Sequence, residues 1–233
     1  MLESAALIDE FFMEEAVGRL ITMALPVVLA ITLHEAAHGY MARRFGDPTA
    51  WLAGRISLNP LKHVDPVGTI AVPLVMFAVG AASGQPGLVF GWAKPVPVDF
   101  SRLRDPKRNM LWVAAAGPLA NLAMACAWAS VWKLSMLVPT VDQIAPIVRM
   151  ADVGLQVNAI LMMLNLLPIL PLDGGRILAS LLPSGIAVRY VRLEPWGLPI
   201  LILLLIIGAL DAILIPLVTL FEYLTVLTFG LHL

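Results

Sequence analysis

A single cysteine in 233 residues, Cys126, has no partner within the chain, so no disulfide framework exists. It lies in an apolar stretch and reads as a small buried hydrophobe. Charge is equally scarce. Only 13% of residues are charged, and 15 Lys and Arg against 16 Asp and Glu leave a net charge of −1. That balance offers no basic surface to a nucleic acid, which excludes a nucleic-acid partner. The start of the chain lacks the basic residues of a cleaved signal peptide. It carries Glu3, Asp9, Glu10, Glu14 and Glu15 among apolar residues instead, the pattern of an amphipathic segment at a membrane interface. Hydrophobic residues make up 60% of the sequence, with a mean hydropathy of +0.88. A soluble domain cannot hide that much apolar surface, so an integral membrane protein embedded in a lipid bilayer is expected. No stretch leaves room for an appended soluble domain. One transmembrane domain over residues 1–233 is expected, with an N-terminal segment at 1–19, a core at 20–178 and C-terminal helices at 179–233.

The apolar runs predict an all-α polytopic membrane protein with five to six transmembrane helices. The first span runs from about Leu20 to Met41, with Pro26 inside and Arg43-Arg44 at its end. A turn-rich loop covers 45–66, and a second apolar run covers Val67 to Ala82. The prolines at 95 and 97 exclude a helix over Gly87 to Val98. A third helix is expected from about Asn109 to Leu137 and a fourth from about Ala151 to Leu170. The last run, Trp196 to Phe229, is too long for one straight span at about 1.5 Å per residue. Gly208, Asp211 and Pro216 predict its division into two helices.

Strict alternation of spans would put the basic 43–62 loop and the basic 94–108 connector on opposite faces, against the positive-inside tendency. The conflict disappears if residues 67–98 enter the membrane and return, a short re-entrant extended or β segment following a helix. Both basic loops are then cytoplasmic, and the N-terminus and the 138–148 link are outside. Re-entrant backbone is tolerated only where protein buries it or water reaches it, so it should line a site.

The chemistry concentrates at Leu33-His34-Glu35-Ala36-Ala37-His38-Gly39. Histidines four residues apart share one helical face and can grip one metal ion. Glu35, at the edge of that face, is placed to take a proton from water activated by the metal. Such spacing can arise by chance. In a membrane, however, each ionisable group costs about 2.5–3.5 kcal/mol at mid-bilayer, which disfavours an idle cluster. H-E-x-x-H is a zinc-peptidase signature, and it predicts one Zn2+ per chain.

Catalytic zinc usually takes three protein ligands. His63 lies in a proline-rich loop, where a structural or solvated role suffices, and His232 lies at the C-terminus. Asp173 is the better candidate, set among Pro168, Pro171, Gly174 and Gly175 at the expected end of the fourth helix. It stands three residues before Arg176, as His38 stands five before Arg43, so both ligand sets fall at similar depth near the cytoplasmic side. Its other reading is an N-cap for a helix over Gly174 to Leu182.

Substrate contacts are expected along Gly91 to Val98. Pro95 and Pro97 remove N–H donors from one edge of an extended chain, while Lys94, Val96 and Val98 keep theirs on the other. That leaves an edge for β-addition of an unwound substrate; a rigid turn over the site is the competing reading. Asn121 and Asn165 are amides in apolar helices. They steady the site, bind substrate backbone or join helices by hydrogen bonds. Asp211 and Glu222 share a helical face if that helix is continuous, and Lys133 is expected at the outer interface.

Together these motifs resemble the site-2 protease family of intramembrane zinc metalloproteases, in a compact bacterial form. The matching stretches are His34 to His38, Gly91 to Pro97, Gly117-Pro118-Leu119-Ala120-Asn121, and Asn165 to Gly174, in the family's order across residues 30–178. The resemblance implies zinc held by His34, His38 and Asp173, with Glu35 as catalytic base. It implies a multi-pass protein of the bacterial inner membrane that cleaves a transmembrane protein or a remnant signal peptide. The PDZ and CBS domains of many relatives are absent, and oligomeric state is left open. A membrane transporter or metal-handling protein using the same ligands is the alternative; transport has no need of an unligated base beside two histidines.

Overall fold

The computed structural model describes residues 2–72, 74–75, 93–138 and 141–231. Among these the regular elements are helices and no strand is formed. Helix α1 spans Leu2–Arg44 and α2 spans Thr49–Leu52. Helix α3 covers Pro106–Ser135, α4 Val141–Asn165, α5 Asp173–Leu181, α6 Ser184–Val191, α7 Glu194–Ile206 and α8 Ala209–Phe229. Three helical stretches among the described residues are long and apolar enough to cross a membrane: Pro106–Ser135, Ala145–Asn165 and Ala209–Phe229.

Local chemistry explains several boundaries. α1 ends with Arg43 and Arg44 in its last turn, where cations complement the helix dipole. Gly46 then adopts a φ of +112°, open mainly to glycine. α3 starts on Pro106, and the Asp105 side chain accepts from Arg108 N–H at 3.2 Å. α4 stops at Asn165, short of the expected Leu170. Pro168 can neither donate in a helix nor let Leu167 settle easily into one. The backbone of the N-terminal segment is helical and continuous with the rest of α1. The last apolar run divides at Gly208 (φ +72°), while Asp211 and Pro216 lie inside α8.

α1, α3 and α4 pack against one another, α5 lies on α3, and α8 lies on α4. Where α3 meets α4 the buried residues include Ala125, Ala129 and Ala151, small side chains that allow close approach. Lys133 donates to the Gly230 carbonyl at 2.7 Å, tying α3 to the C-terminal end of α8. Ala42, Leu103 and Val113 form a second cluster with Val98 and Phe100, which seats the 93–103 segment between the end of α1 and the start of α3. Of the re-entrant stretch expected over 67–98, residues 73 and 76–92 lie outside the described residues. Pro66–Ala71 forms a wide π-helical turn, and 93–99 is irregular chain without helix.

Candidate metal centre

The penultimate turns of α1 bring His34 and His38 together, with their Nε2 atoms 3.1 Å apart. Asp173 arrives from α5, and its Oδ2 lies 3.3 Å from both Nε2 atoms. Asp173 is the first residue of that helix; Leu172 occupies the cap position and no side chain caps it. The carboxylate is therefore turned into the site instead of serving the helix end. His34 and Asp173 are buried, and His38 is half-buried.

Hydrogen bonds at the far side of each ring decide where the protons sit. His38 Nδ1 is 2.7 Å from the Val113 carbonyl, which can only accept, so Nδ1 carries the proton. His34 Nδ1 donates to Asn121 Oδ1 at 2.5 Å. With the proton at Nδ1, it is Nε2 of each ring that can offer a lone pair to a metal ion. Asp173 Oδ2 is buried and makes no hydrogen bond, so it is left open to a further partner. Three candidate donor atoms thus converge on one point, and a cation there would satisfy all of them at once. Tetrahedral ligands at about 2.0–2.1 Å from zinc stand about 3.3 Å apart, close to the spacing of these three atoms. Gly117 on α3 completes the cradle. A Cβ there would collide with His34 Nε2 and His38 Nε2, so glycine keeps the space beside the donors free. The residues present fit a zinc ion.

A cavity of about 370 Å³ opens beside the trio, walled by Glu35, Val96, Val98, Asn165 and Arg176 among others. Glu35 Oε2 accepts from the Val96 N–H at 2.7 Å, which holds the carboxylate without protonating it. Lys94 donates its N–H to the His63 carbonyl at 2.9 Å, and the Arg55 guanidinium donates to Lys94 O at 2.8 Å. Two donors of the expected edge, at 94 and 96, are thus engaged within the protein in this arrangement. Asp47, fully buried, extends the bracing by accepting from Asp99 N–H at 2.7 Å.

The other expected site residues separate. Asn165 lies on the cavity wall, its amide donating to Leu161 O at 3.0 Å. Asn121 is 0% exposed and stands behind His34 with both ends of its amide engaged, so it does not face a substrate in this arrangement. Gly91 and His232 lie outside the described residues. His63 is buried, donates from Nε2 to Ser57 O at 2.9 Å, and stands apart from the metal trio. Asp211 and Glu222 do share one continuous helix, away from the cavity wall.

Three contributors were not assigned from sequence. Gly117 belongs to the Gly117 to Asn121 stretch, in which sequence alone gives the glycine no role. Arg176 follows Asp173 by three residues, one helical turn, and reaches the cavity wall; it pairs with Glu194 at 2.9 Å and lies over the Phe100 ring at 4.9 Å. Asn158 is a further amide in an apolar helix, the same signal that singled out Asn121 and Asn165. Outside the spans, the Ser101 hydroxyl bonded to Asp99 holds that carboxyl below its usual range, and burial raises the Tyr190 phenol.

Comparison with known proteins identifies relatives. Over 188 residues the chain is 34% identical to the protein of Bacillus subtilis named "Putative zinc metalloprotease YwhC", covering 79% of this chain and 80% of that one. Over 198 residues it is 31% identical to Rip2 of Mycolicibacterium smegmatis, named in the same way, covering 84% and 70%. The Mycobacterium tuberculosis Rip2 is 30% identical over 151 residues, 63% of this chain and 52% of the relative. No family model and no solved structure matches the chain.

Proposed function

Because the chain belongs to the site-2 protease family, we propose that it is an intramembrane zinc metalloendopeptidase, hydrolysing a peptide bond within or near the transmembrane segment of a membrane protein. The observation that carries this reading is the convergence of three candidate metal donors, His34 Nε2, His38 Nε2 and Asp173 Oδ2, beside the Glu35 carboxylate. The relatives' metalloprotease names favour it over metal transport.

One zinc per chain would be held by His34, His38 and Asp173. Bound there, zinc supplies Lewis-acid chemistry, polarising a carbonyl and lowering the pKa of water toward about 7. Glu35 takes the proton from the attacking water and returns it to the leaving amine. The Val96 N–H keeps the carboxylate aimed while it waits. A substrate strand laid along Lys94, Val96 and Val98 exchanges with these internal partners, taking the Val96 donor as Glu35 turns to the water. Asn165, on the cavity wall, binds substrate backbone. The substrate is a single-span protein or a remnant signal peptide, unwound locally to expose its scissile bond.

Five or six spans, the re-entrant 67–98 stretch and a catalytic centre near the cytoplasmic face of a bacterial inner membrane complete the proposal. The basic loops support that orientation. In a Cys126→Ser background, cysteines placed at Ser101 and Asp142 are expected to label from opposite faces; labelling of both from one face would reject the layout. The activity itself is tested with a model transmembrane substrate in bilayers. Cleavage within the span is expected from the zinc-loaded protein and not from chelator-treated protein. An intact substrate in both samples, with zinc bound in the first, contradicts the assignment.

A further inference from the structure

We infer that Asn158, on α4 and in contact with none of the three donors, is a positioning residue that sets the proton on His34 through Asn121. The inference rests on the metal reading above. His34 is a usable ligand only when its proton is on Nδ1, which leaves the Nε2 lone pair for the ion. That tautomer requires Asn121 to present oxygen to the ring. An amide rotated by half a turn would present NH2 there, forcing the proton to Nε2 and closing the ligand position.

The rotation of Asn121 is decided at its other end. Its Nδ2 donates to Asn158 Oδ1 at 2.9 Å. Asn158 is oriented in turn by its own Nδ2, which donates to the Gly154 carbonyl at 2.8 Å. A backbone carbonyl can only accept, so the direction of every bond in the row follows from that last one. The order is Gly154 O, Asn158, Asn121, His34 Nδ1. Both amides are 0% exposed. The other acceptor near Asn121 Nδ2, the Ala30 carbonyl, is 3.5 Å away, too far to fix the amide alone. Gly154 lies against the Trp128 indole, so closely that a Cβ would meet its ring atoms at 2.5–2.6 Å. α4 therefore supplies the reference that α1 lacks.

Co2+ binding by the full-length protein, titrated against a competing chelator, tests the relay. Asn158→Leu, which removes the acceptor, is expected to weaken Co2+ binding about 10–100-fold. Asn158→Ser is too short to reach Asn121 and serves if the leucine variant fails to fold; the same loss is expected. Asn158→Asp, neutral when buried, keeps both a donor and an acceptor and is expected to restore binding. Asn121→Leu is expected to weaken binding by itself, and adding Asn158→Leu or Asn158→Ser to it should change nothing more, because the link is already cut. Wild-type affinity in the folded Leu or Ser variant, equal losses in Ser and Asp, or losses that add in the double variant would each overturn the relay. Failure of the wild type to bind Co2+ would instead overturn the metal reading.

Discussion

Replacement of Glu35 by glutamine is expected to leave metal binding intact and to slow peptide-bond cleavage by about 10²–10⁴-fold, the usual contribution of a positioned general base. The substitution changes little else. Glutamine has the same shape, and its amide oxygen can still accept from the Val96 N–H that holds Glu35 at 2.7 Å. It cannot take a proton from water. Glu35 also stands outside the donor trio, so the affinity of that trio for a cation should survive. The measurement pairs metal content with cleavage of a model transmembrane substrate, wild type beside variant. Unchanged cleavage would remove Glu35 from the mechanism, and loss of metal would recast it as a ligand.

A second large effect is expected at a residue that carries no functional group. Gly117→Val should take the protein from one bound ion per chain to none detectable, and abolish cleavage with it. A Cβ at this position falls within contact distance of both His34 Nε2 and His38 Nε2. The rings cannot retreat freely, because each is tethered at Nδ1, to Asn121 and to the Val113 carbonyl. Relief must come from separating α1 and α3 or from turning a ring out of the site, and either movement disperses the donors. Zinc content by mass spectrometry of the folded variant checks this. A full complement of zinc in Gly117→Val would mean that the ion sits elsewhere.

The parts of this site that could be read in the sequence are those set by local geometry. His34 and His38 share a face because four residues are slightly more than one helical turn, whatever packs around them. Asp173 was legible because prolines and glycines break the chain beside it, but its two readings, ligand and helix cap, were separated only by the position of Leu172 at the cap. The division of the last run was legible from its length and its breakers, of which Gly208 takes a φ of +72° at the break while Asp211 and Pro216 lie inside α8. Contacts across helices were not legible. Lys94 and Val96 looked like free donors because nothing in the sequence announces that the His63 carbonyl and the Glu35 carboxylate reach them. Asn121 looked equally able to face substrate, ring or helix, and packing against Asn158 chose. The early stop of α4 reflects Pro168 more than Pro171, a distinction that hydrophobicity alone does not make.

The central claim is that His34, His38 and Asp173 hold one metal ion that makes water reactive inside the membrane. It is tested most directly by anomalous scattering from crystals of the zinc-loaded protein at the zinc edge. The expected result is a single peak about 2.0–2.2 Å from His34 Nε2, His38 Nε2 and an Asp173 carboxylate oxygen, with Glu35 not coordinated. A peak bound without Asp173, or no peak at this position in protein that cleaves substrate, would contradict it.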